Sequence, residues 1–360
     1  MSQYLWGRKY RIQVVTGMEK DKDGKETGNE IALDVSNLHC VFEVHKKRDE
    51  GGSYAVVKIY NLNSQTEQKL ITEGDRLIIE AGYKGLTKQD HLVDIDTGEP
   101  WVTQVDTRKT TMDADDGVQV TIGTEPARYG KIFDGKITWP SRSKESNVDY
   151  VLTLMAIDGD DPLNLNYISK TVGKGLNQRQ ILETVSKDSE TKIPTNVISD
   201  SLSPQRLPRG KVFFGSPRDY IKDVCRGNAA SYYIEDGQLN TYRLQDVPAN
   251  EAMVVTPQTG LIGMPSQTQY GVDFKMLLNP AVKLQTMIKI QGSEVNETTV
   301  TPGEQQTPLD DEWIYQAIEV THRGDTRGND WYTEVVGISR YGTGSLPALA
   351  ANEETNANGQ

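Results

Sequence analysis

The sequence predicts a mainly β protein with a small α/β domain in its middle. Apolar and polar residues alternate over residues 10–159 and again from residue 254 onward, which is the period of half-buried strands. Between these two regions, two segments carry the capping residues and the apolar spacing of α-helices. With 360 residues, the chain is long enough for two or three domains that each bury a core.

The strands of the first β region are predicted where one face is uniformly apolar. In 53–62, the side chains of Ala55, Val57 and Ile59 share one face, and we expect that face to lie in the core. Similar runs occur at 11–16, 31–45, 76–83 and 150–157. Several of these runs are bounded by Gly, Asp or Asn, as expected for strands joined by turns.

Two segments of the first region depart from this pattern. Residues 65–71 have the spacing of a short helix. Residues 86–128 are polar and rich in Asp and Thr, with weak alternation, and we interpret them as an inserted β-arm. The first β domain is therefore predicted over 1–159, with this arm inside it.

Two helices define the middle domain, predicted over 160–246. Asn177 and Gln180 have the spacing of a capping box, in which each side chain accepts a hydrogen bond from the backbone of the other. The second helix is predicted to begin with Ser216 as its cap and Pro217 in its first turn, and to end at Gly227. A hairpin follows over 231–242, where the dipeptide 236–237 (DG) favours a two-residue turn.

The second β domain is predicted over 247–342. Its strands are expected at 271–277, 284–291, 313–322 and 331–339. A polar loop is predicted at 323–330 between the last two strands. Residues 343–360 are rich in Gly, Ala, Asn and Glu and cannot bury enough apolar area to fold alone, so we expect a flexible tail that a partner orders.

The net charge, the cysteines and the N-terminus limit the partners and the location that we expect for this protein. The 39 Lys and Arg against 51 Asp and Glu leave a net charge of -12, which disfavours nucleic-acid binding wherever a local basic patch is lacking. Cys40 and Cys225 lie in apolar segments and are expected to be buried free thiols. The N-terminus lacks a signal-peptide pattern and no apolar run spans a bilayer, so we expect folding in a cytoplasm and no membrane partner.

A search for catalytic or metal-binding motifs assigns no catalytic, cofactor-binding or metal-ligating residue. The four histidines lack metal-ligand spacing, and there is no Gly-x-Ser-x-Gly, Walker or Gly-x-Gly-x-x-Gly motif. The histidines are His39, His45, His91 and His322. The glycines of 173–175 lack the third glycine of a dinucleotide loop. We therefore expect a protein without cofactors.

Three short motifs suggest chemistry, and each has a simpler explanation. Residues 19–30 carry oxygen ligands at calcium-loop positions, but the preceding segment has strand alternation, so a solvated hairpin is the alternative. The Asp clusters at 113–116 and 158–161 could supply paired carboxylates for a glycosidase, whereas Asp beside Gly commonly forms turns. Residues 323–325 spell Arg-Gly-Asp, a tripeptide that arises readily by chance.

Several strings, in order along the chain, resemble the baseplate hub proteins of contractile-tailed bacteriophages. The most specific are 259–265 (TGLIGMP), 270–274 (YGVDF) and 277–280 (LLNP). The supporting strings are 59–62 (IYNL), 81–83 (AGY), 132–137 (IFDGKI), 156–159 (AIDG) and 234–239 (IEDGQL). The 86–128 segment and the tail after Tyr341 lie outside the resemblance.

The resemblance implies two β-barrel-like tube domains of the phage tail hub type on either side of the α/β domain. It implies a homotrimer that forms a pseudo-sixfold ring, adapts the hexameric tail tube to the trimeric spike and surrounds the genome exit channel. Its implied partners are two copies of itself, the tail spike protein, the tail tube protein, other baseplate proteins and, as an open alternative, the tape measure protein. DNA would touch it only in transit, and an acidic lumen would let DNA slide.

The resemblance also implies a location in the virion, at the tail baseplate, after assembly in the host cytoplasm.

Two other classes of function stay open at this point. One is a peptidoglycan-degrading tail enzyme, because catalytic acids that are distant in sequence leave no motif. The other is a glycan-binding or receptor-binding surface module, for which the 16 tyrosines could supply an aromatic platform.

Overall fold

A computed structural model describes the chain in thirteen segments. They are residues 7–20, 26–48, 52–63, 75–83, 111–113, 119–121, 129–145, 149–159, 166–243, 252–257, 259–268, 271–291 and 313–339. The predicted helix at 65–71 and the tail at 343–360 lie outside these segments. Only two three-residue strands of the predicted arm at 86–128 are described.

The described part of the first β region contains nine strands. They are β1 (Arg8–Lys20), β2 (Glu26–Asp34), β3 (Cys40–Lys47), β4 (Tyr54–Tyr60), β5 (Arg76–Tyr83), β6 (Thr111–Asp113), β7 (Gln119–Thr121), β8 (Tyr129–Lys144) and β9 (Tyr150–Ile157). Strands β6 and β7 pair with each other. The single run predicted at 31–45 is wrong, because a hydrogen-bonded turn from Val35 to Leu38 divides it between β2 and β3.

The middle region and the second β region follow. The middle region consists of β10 (Ile168–Val172), α1 (Gln178–Asp188), β11 (Lys211–Gly215), α2 (Pro217–Arg226), β12 (Ser231–Glu235) and β13 (Gln238–Tyr242). The second β region consists of β14 (Met253–Val255), β15 (Leu261–Gln267), β16 (Gly271–Leu277), β17 (Met287–Ile290), β18 (Ile314–Asp325) and β19 (Trp331–Ser339). The predicted fold class, mainly β with a small α/β unit in the middle, is confirmed.

One large sheet runs through both β regions. Its strand order is β15-β16-β19-β18-β3-β4-β9-β8-β5-β1-β2, and β17 also pairs with β18 and carries β14. The two regions join where β3 pairs antiparallel with β18. The domain limits at 159 and 246 stay predictions.

The described residues form three apolar cores. The first is formed by inward residues of β1, β3, β4, β5, β8 and β9, and it includes Leu278 and Trp331 from the second β region. The second lies between the helices and the short strands of the middle region. The third belongs to the second β region and includes Tyr233 and Tyr242 from the middle region. Side chains from one region therefore complete the core of another.

The local predictions in the middle region are mostly confirmed. Asn177 and Gln180 form both hydrogen bonds of a capping box at the start of α1. The turn between β12 and β13 has positive φ at Asp236 and Gly237, as a two-residue hairpin loop requires. The capping role of Ser216 is wrong in one respect, since its side chain makes no capping hydrogen bond although Pro217 does begin α2.

Candidate functional site

A buried ion pair connects the first β region to the middle region. The alternation of β3 turns Lys46 inward, on the same side as Phe42 and Val44. Lys46 Nζ lies 3.0 Å from Glu235 Oε1 of β12, and the two side chains are only 3% and 9% exposed. A buried ion pair of this kind depends on both partners, because removing either leaves an uncompensated charge.

A buried carboxyl at the end of β9 holds the same hairpin. Asp158 Oδ1 accepts a hydrogen bond from Gly237 N at 2.8 Å, and Asp158 N donates to Ser53 O at 2.8 Å. Burial raises the pKa of Asp158 to about 7, and the nearby carboxylate of Asp236 adds to this effect. The hydrogen bond from Gly237 and the charge of Lys46 act in the opposite direction.

A second ion pair extends this contact to the second β region. Lys283 Nζ lies 3.0 Å from Asp236 Oδ2. Burial raises the pKa of Asp236, but Lys46 and Lys283 lower it by more, so the net pKa lies below the ordinary value. We call the group of Lys46, Asp158, Glu235, Asp236 and Lys283 the interdomain joint, because its side chains come from all three regions.

Arg48, the residue directly after β3, reinforces the joint. Its guanidinium lies over the Tyr242 ring, 4.3 Å from the centroid, and donates a hydrogen bond to Gln316 Oε1 at 3.3 Å. The Tyr242 hydroxyl donates to Arg48 O at 3.2 Å. The orientation of the middle region on the sheet is therefore held by several buried polar contacts.

The joint contains two carboxyls whose pKa values are shifted in opposite directions, a pattern that acid/base enzymes use. However, Asp158 is 4% exposed and bonded to the backbone of the hairpin, while Asp236 is paired with Lys283. A substrate could reach Asp158 only by displacing the hairpin. The geometry is that of a structural joint.

A chain of ion pairs crosses the outer face of the sheet where the two β regions meet. Lys275 Nζ is 3.1 Å from Glu334 Oε1, and Arg323 Nε is 3.3 Å from Glu334 Oε2. Arg323 also reaches Glu43 Oε1 at 2.7 Å, and His45 Nε2 lies 2.7 Å from the same oxygen. We call these five side chains the charge ladder; they connect β16, β19, β18 and β3.

The Arg-Gly-Asp tripeptide at 323–325 is part of this framework. The loop predicted at 323–330 is shorter, because β18 continues to Asp325. Asp325 Oδ1 accepts hydrogen bonds from Arg327 N and Gly328 N at 2.9 and 2.7 Å and lies 2.8 Å from His39 Nε2. With Arg323 held in the charge ladder, the tripeptide is not displayed as a flexible adhesion loop.

The remaining candidate residues that the structure describes are buried. Cys40 and Cys225 are buried free thiols, as predicted. His322 is fully buried, its Nδ1 lies 2.9 Å from Thr333 Oγ1, and burial lowers its pKa to about 3. His91 lies outside the described residues. Across the described segments, no group of three or more His, Cys, Asp or Glu side chains is arranged to hold a metal ion.

The segments that suggested chemistry are described only in part. Residues 19–20 end β1 and residues 26–30 begin β2, and the two strands pair as a hairpin, in agreement with the simpler explanation of this sequence. Residues 21–25 lie outside the described residues. Asp113 ends β6, and the rest of its Asp cluster, like residues 160–161, also lies outside them. None of the helices described has the length and apolar character needed to cross a membrane.

Sequence reasoning missed the two networks that organise the molecule. The alternation of β3 could have revealed Lys46, because a lysine at an inward position implies a buried partner. Nothing in the sequence identifies Glu235 as that partner, since the two residues are 189 positions apart. The charge ladder was equally hidden, because it depends on the pairing of β3 with β18.

Comparison with protein families gives a match over most of the chain. The family described as baseplate hub gp41 matches residues 24–300. None of the curated proteins matches the sequence.

Two solved structures with similar folds are the 43 kDa tail protein of prophage MuSo2 from Shewanella oneidensis and a tail protein from Neisseria meningitidis. Each is 8% identical with a TM-score of 0.49; the matches cover 93% of this chain and 99% and 97% of the two proteins. The c3393 protein of E. coli, described as a component of the type VI secretion system that resembles the T4 tail proteins gp27 and gp5, is 11% identical with a TM-score of 0.46. That match covers 87% of this chain and 77% of the E. coli protein.

Proposed function

Because this chain belongs to the baseplate hub gp41 family, we propose that it is the non-enzymatic hub of a contractile phage tail. Three copies form a pseudo-sixfold ring that adapts the hexameric tail tube to the trimeric spike. The ring surrounds the channel through which the genome leaves. The protein assembles in the host cytoplasm and remains in the virion as part of the tail baseplate.

The observation that carries this proposal is the match to the hub family over residues 24–300. The continuous sheet supports it, because β3 and β18 fix the two β regions in one orientation. A single chain can then present two sheet-bearing units to the tube above, which is what a change from sixfold to threefold symmetry requires. The buried joint supports a rigid role for the middle region.

The partners follow from the position of a hub. They are two further copies of the chain, the tail spike protein, the tail tube protein and neighbouring baseplate proteins, with DNA in contact only during its passage. The net charge of -12 supports this last point, because an acidic protein repels phosphate wherever it lacks a local basic patch.

Native mass spectrometry of the purified chain and negative-stain imaging of purified tails test the proposal. We expect a trimer and a ring with a central hole at the tip of the tail tube. A monomer, together with tails that contain none of this protein, would refute the hub. A ring with a strongly basic channel wall would leave the hub proposal in place but contradict the expectation of an acidic channel.

Zymography on cell-wall material tests the non-enzymatic part of the proposal separately. We expect no clearing by the wild type. The matched control is the Asp158→Asn variant, which keeps the hydrogen-bond acceptor for Gly237 but cannot act as an acid. Clearing by the wild type that disappears in this variant would identify a peptidoglycan-degrading enzyme with Asp158 in its site.

A further inference from the structure

The middle region presents an apolar surface on a short two-stranded ribbon. Strands β10 and β11 pair antiparallel, and Phe213 and Ile168 face the core of this region. On the opposite face, Val212 is 62% exposed and Phe214 is 70% exposed. Tyr167 packs edge-on against Phe214, with 5.2 Å between the ring centroids. Clustered exposed apolar side chains of this kind commonly mark an interaction site.

One end of this ribbon is basic. Beyond the two strands, Gly175 N donates to Leu207 O at 2.9 Å and Leu207 N donates to Leu176 O at 2.8 Å, so the two chain segments continue side by side. The basic side chains along them are Lys174, Arg206, Arg209 and Lys211. None of these four forms an ion pair with another described residue. The Lys211 ammonium lies over the Phe213 ring, 5.4 Å from its centroid, so Lys174, Arg206 and Arg209 are the cations available to a partner. We call β10, β11 and this end the basic ribbon.

The basic ribbon stands in contrast to the charge of the whole protein. Residues 166–243 contain twelve Lys and Arg against eight Asp and Glu, whereas the complete chain has a net charge of -12. The two β regions and their connections therefore carry all of the excess negative charge. A second copy of the same chain is consequently an electrostatically favourable partner for the ribbon.

A complementary surface lies at the β15 end of the large sheet. Ile262 and Met264 on β15 are 38% and 46% exposed. On the adjoining strand β16, Asp273 forms no ion pair with a described residue, whereas Lys275 on the same face of this strand is paired with Glu334. Burial raises the pKa of Asp273, and the carboxylates of Glu319 and Glu334 raise it further. We call β15 and β16 with these exposed side chains the acidic edge.

We propose that the basic ribbon of one copy packs against the acidic edge of the next copy. Phe214 and Val212 then cover Ile262 and Met264, and the basic side chains approach Asp273. This contact uses two different surfaces of the same chain, so it is heterologous and produces a closed ring when the rotation between copies permits. The inference rests on the proposed homotrimer and specifies which surfaces hold it together.

Photo-cross-linking identifies the occupant of the ribbon. In purified tails, p-benzoylphenylalanine in place of Phe214 is expected to give a covalent dimer of the hub, with the cross-linked peptide in residues 261–277. The matched control carries the same label in place of Val197, an exposed residue of the middle region away from the ribbon, and gives no dimer. A cross-link from position 214 to the tail spike or another protein, or none at all, overturns the inference.

Charge reversal tests whether electrostatic attraction holds the basic ribbon against the acidic edge. Arg206→Glu combined with Arg209→Glu, or Asp273→Lys alone, should each weaken self-association by about tenfold in sedimentation experiments. Combining the two reversals in one chain should restore most of it. Lys58→Glu, a reversal at an exposed lysine on β4 in the first β region, serves as the control. Circular dichroism confirms that each variant is folded.

The outcomes separate this inference from the proposed function. A wild-type trimer whose mass is unaffected by either reversal leaves the hub in place and overturns the pairing of ribbon and edge. The pairing is also overturned if each reversal disrupts the trimer, the combined reversals do not restore it, and the cross-links fall outside residues 261–277. A wild type that is monomeric in solution and absent from tails overturns both.

Discussion

Phe42 on β3 and Gly324 on β18 are directly opposite each other where the two β regions join. The Phe42 ring covers the glycine so closely that a Cβ atom at position 324 would collide with it. Phe42 also packs edge-on against Trp331, with 5.5 Å between the ring centroids. The sheet can therefore continue between the two regions only because residue 324 is a glycine.

Gly324→Ala should destabilise this junction by about 1–3 kcal/mol, because overpacking forces the Phe42 ring or the strand to move. Hydrogen–deuterium exchange should show faster exchange in β3 and β18 first. Gly17→Ala on β1 is the control, since no atom of the described residues, apart from its chain neighbours, lies within 4 Å of a Cβ there. Equal exchange in β3 and β18 for Gly324→Ala and the wild type would contradict the packing argument.

The ion pair between Lys46 and Glu235 should behave differently from its exposed neighbour. Lys46→Met leaves Glu235 charged and buried, and we expect a loss of about 3–5 kcal/mol. Lys47→Met is the matched control, because the ion pair of Lys47 with Glu319 is partly exposed and such pairs contribute about 0–1 kcal/mol.

Denaturant unfolding, monitored by hydrogen exchange at β3 and β12, measures the loss, because a chain with several cores need not unfold in one step. The double variant Lys46→Met with Glu235→Met should recover most of the stability, since no charge is then left unpaired. If the single Lys46→Met variant were as stable as Lys47→Met, the ion pair would not hold the joint.

Asp158 should make the joint less stable as the pH rises. Its folded-state pKa is raised to about 7 by burial, so between pH 4 and 7 the folded chain binds more protons than the unfolded chain. Stability therefore falls across this range and stays lower above pH 7. Asp158→Asn should remove this dependence and stabilise the protein at pH 8 by up to roughly 4 kcal/mol. Thermal unfolding at pH 5 and 8 measures the difference.

Asp134 provides a contrast with the opposite sign. Burial raises its pKa, but hydrogen bonds from Arg76 and Lys131 lower it by more, so the net pKa is below the ordinary value. Its stabilising contribution is present above the unfolded-state pKa and is lost as the pH falls through the folded-state pKa. Asp134→Asn should therefore destabilise the protein at pH 8, where Asp158→Asn stabilises it. The same sign for both variants would contradict the assignment of Asp158.

The local features of this fold were predictable from the sequence, whereas the contacts between regions were not. The capping box at Asn177 and the turn at Asp236 depend on residues three or fewer positions apart, so local chemistry determines them. The pairing of β3 with β18 joins residues 272 to 284 positions apart, from Glu319 with Lys47 to Asp325 with Val41, and no local pattern encodes it. The candidate joint and the charge ladder depend on that pairing, and for this reason sequence reasoning found neither.

Short edge strands were the other kind of element that sequence reasoning missed. Strands β10 and β11 have only five residues each, and β11 carries Phe213 on its core-facing side and Phe214 on its exposed side. A strand with apolar residues on both faces lacks the alternation that identifies a half-buried strand. Phe214, the exposed residue that interrupts the alternation of β11, is also the residue that we propose as a contact.

Arg8 should control the loop between β18 and β19. Its guanidinium donates hydrogen bonds to the carbonyl oxygens of Asp325, Gly328 and Asn329 at 3.0, 2.6 and 3.0 Å. It also lies over the Trp331 ring, 5.4 Å from the centroid. These carbonyls converge on one planar group, which a lysine cannot replace because its ammonium is a single point of charge.

Arg8→Lys should therefore release the loop although the charge is unchanged. We expect amide exchange over 325–330 to accelerate by about tenfold, the factor for a loss of about 1.4 kcal/mol in local stability. Exchange in β3 and β19 should stay close to the wild type, because their own ladder hydrogen bonds remain. Lys9→Arg, the same exchange of cation types at the adjacent residue, should leave the loop unaffected. Acceleration by Lys9→Arg, or none by Arg8→Lys, would show that something other than the Arg8 guanidinium holds these carbonyls together.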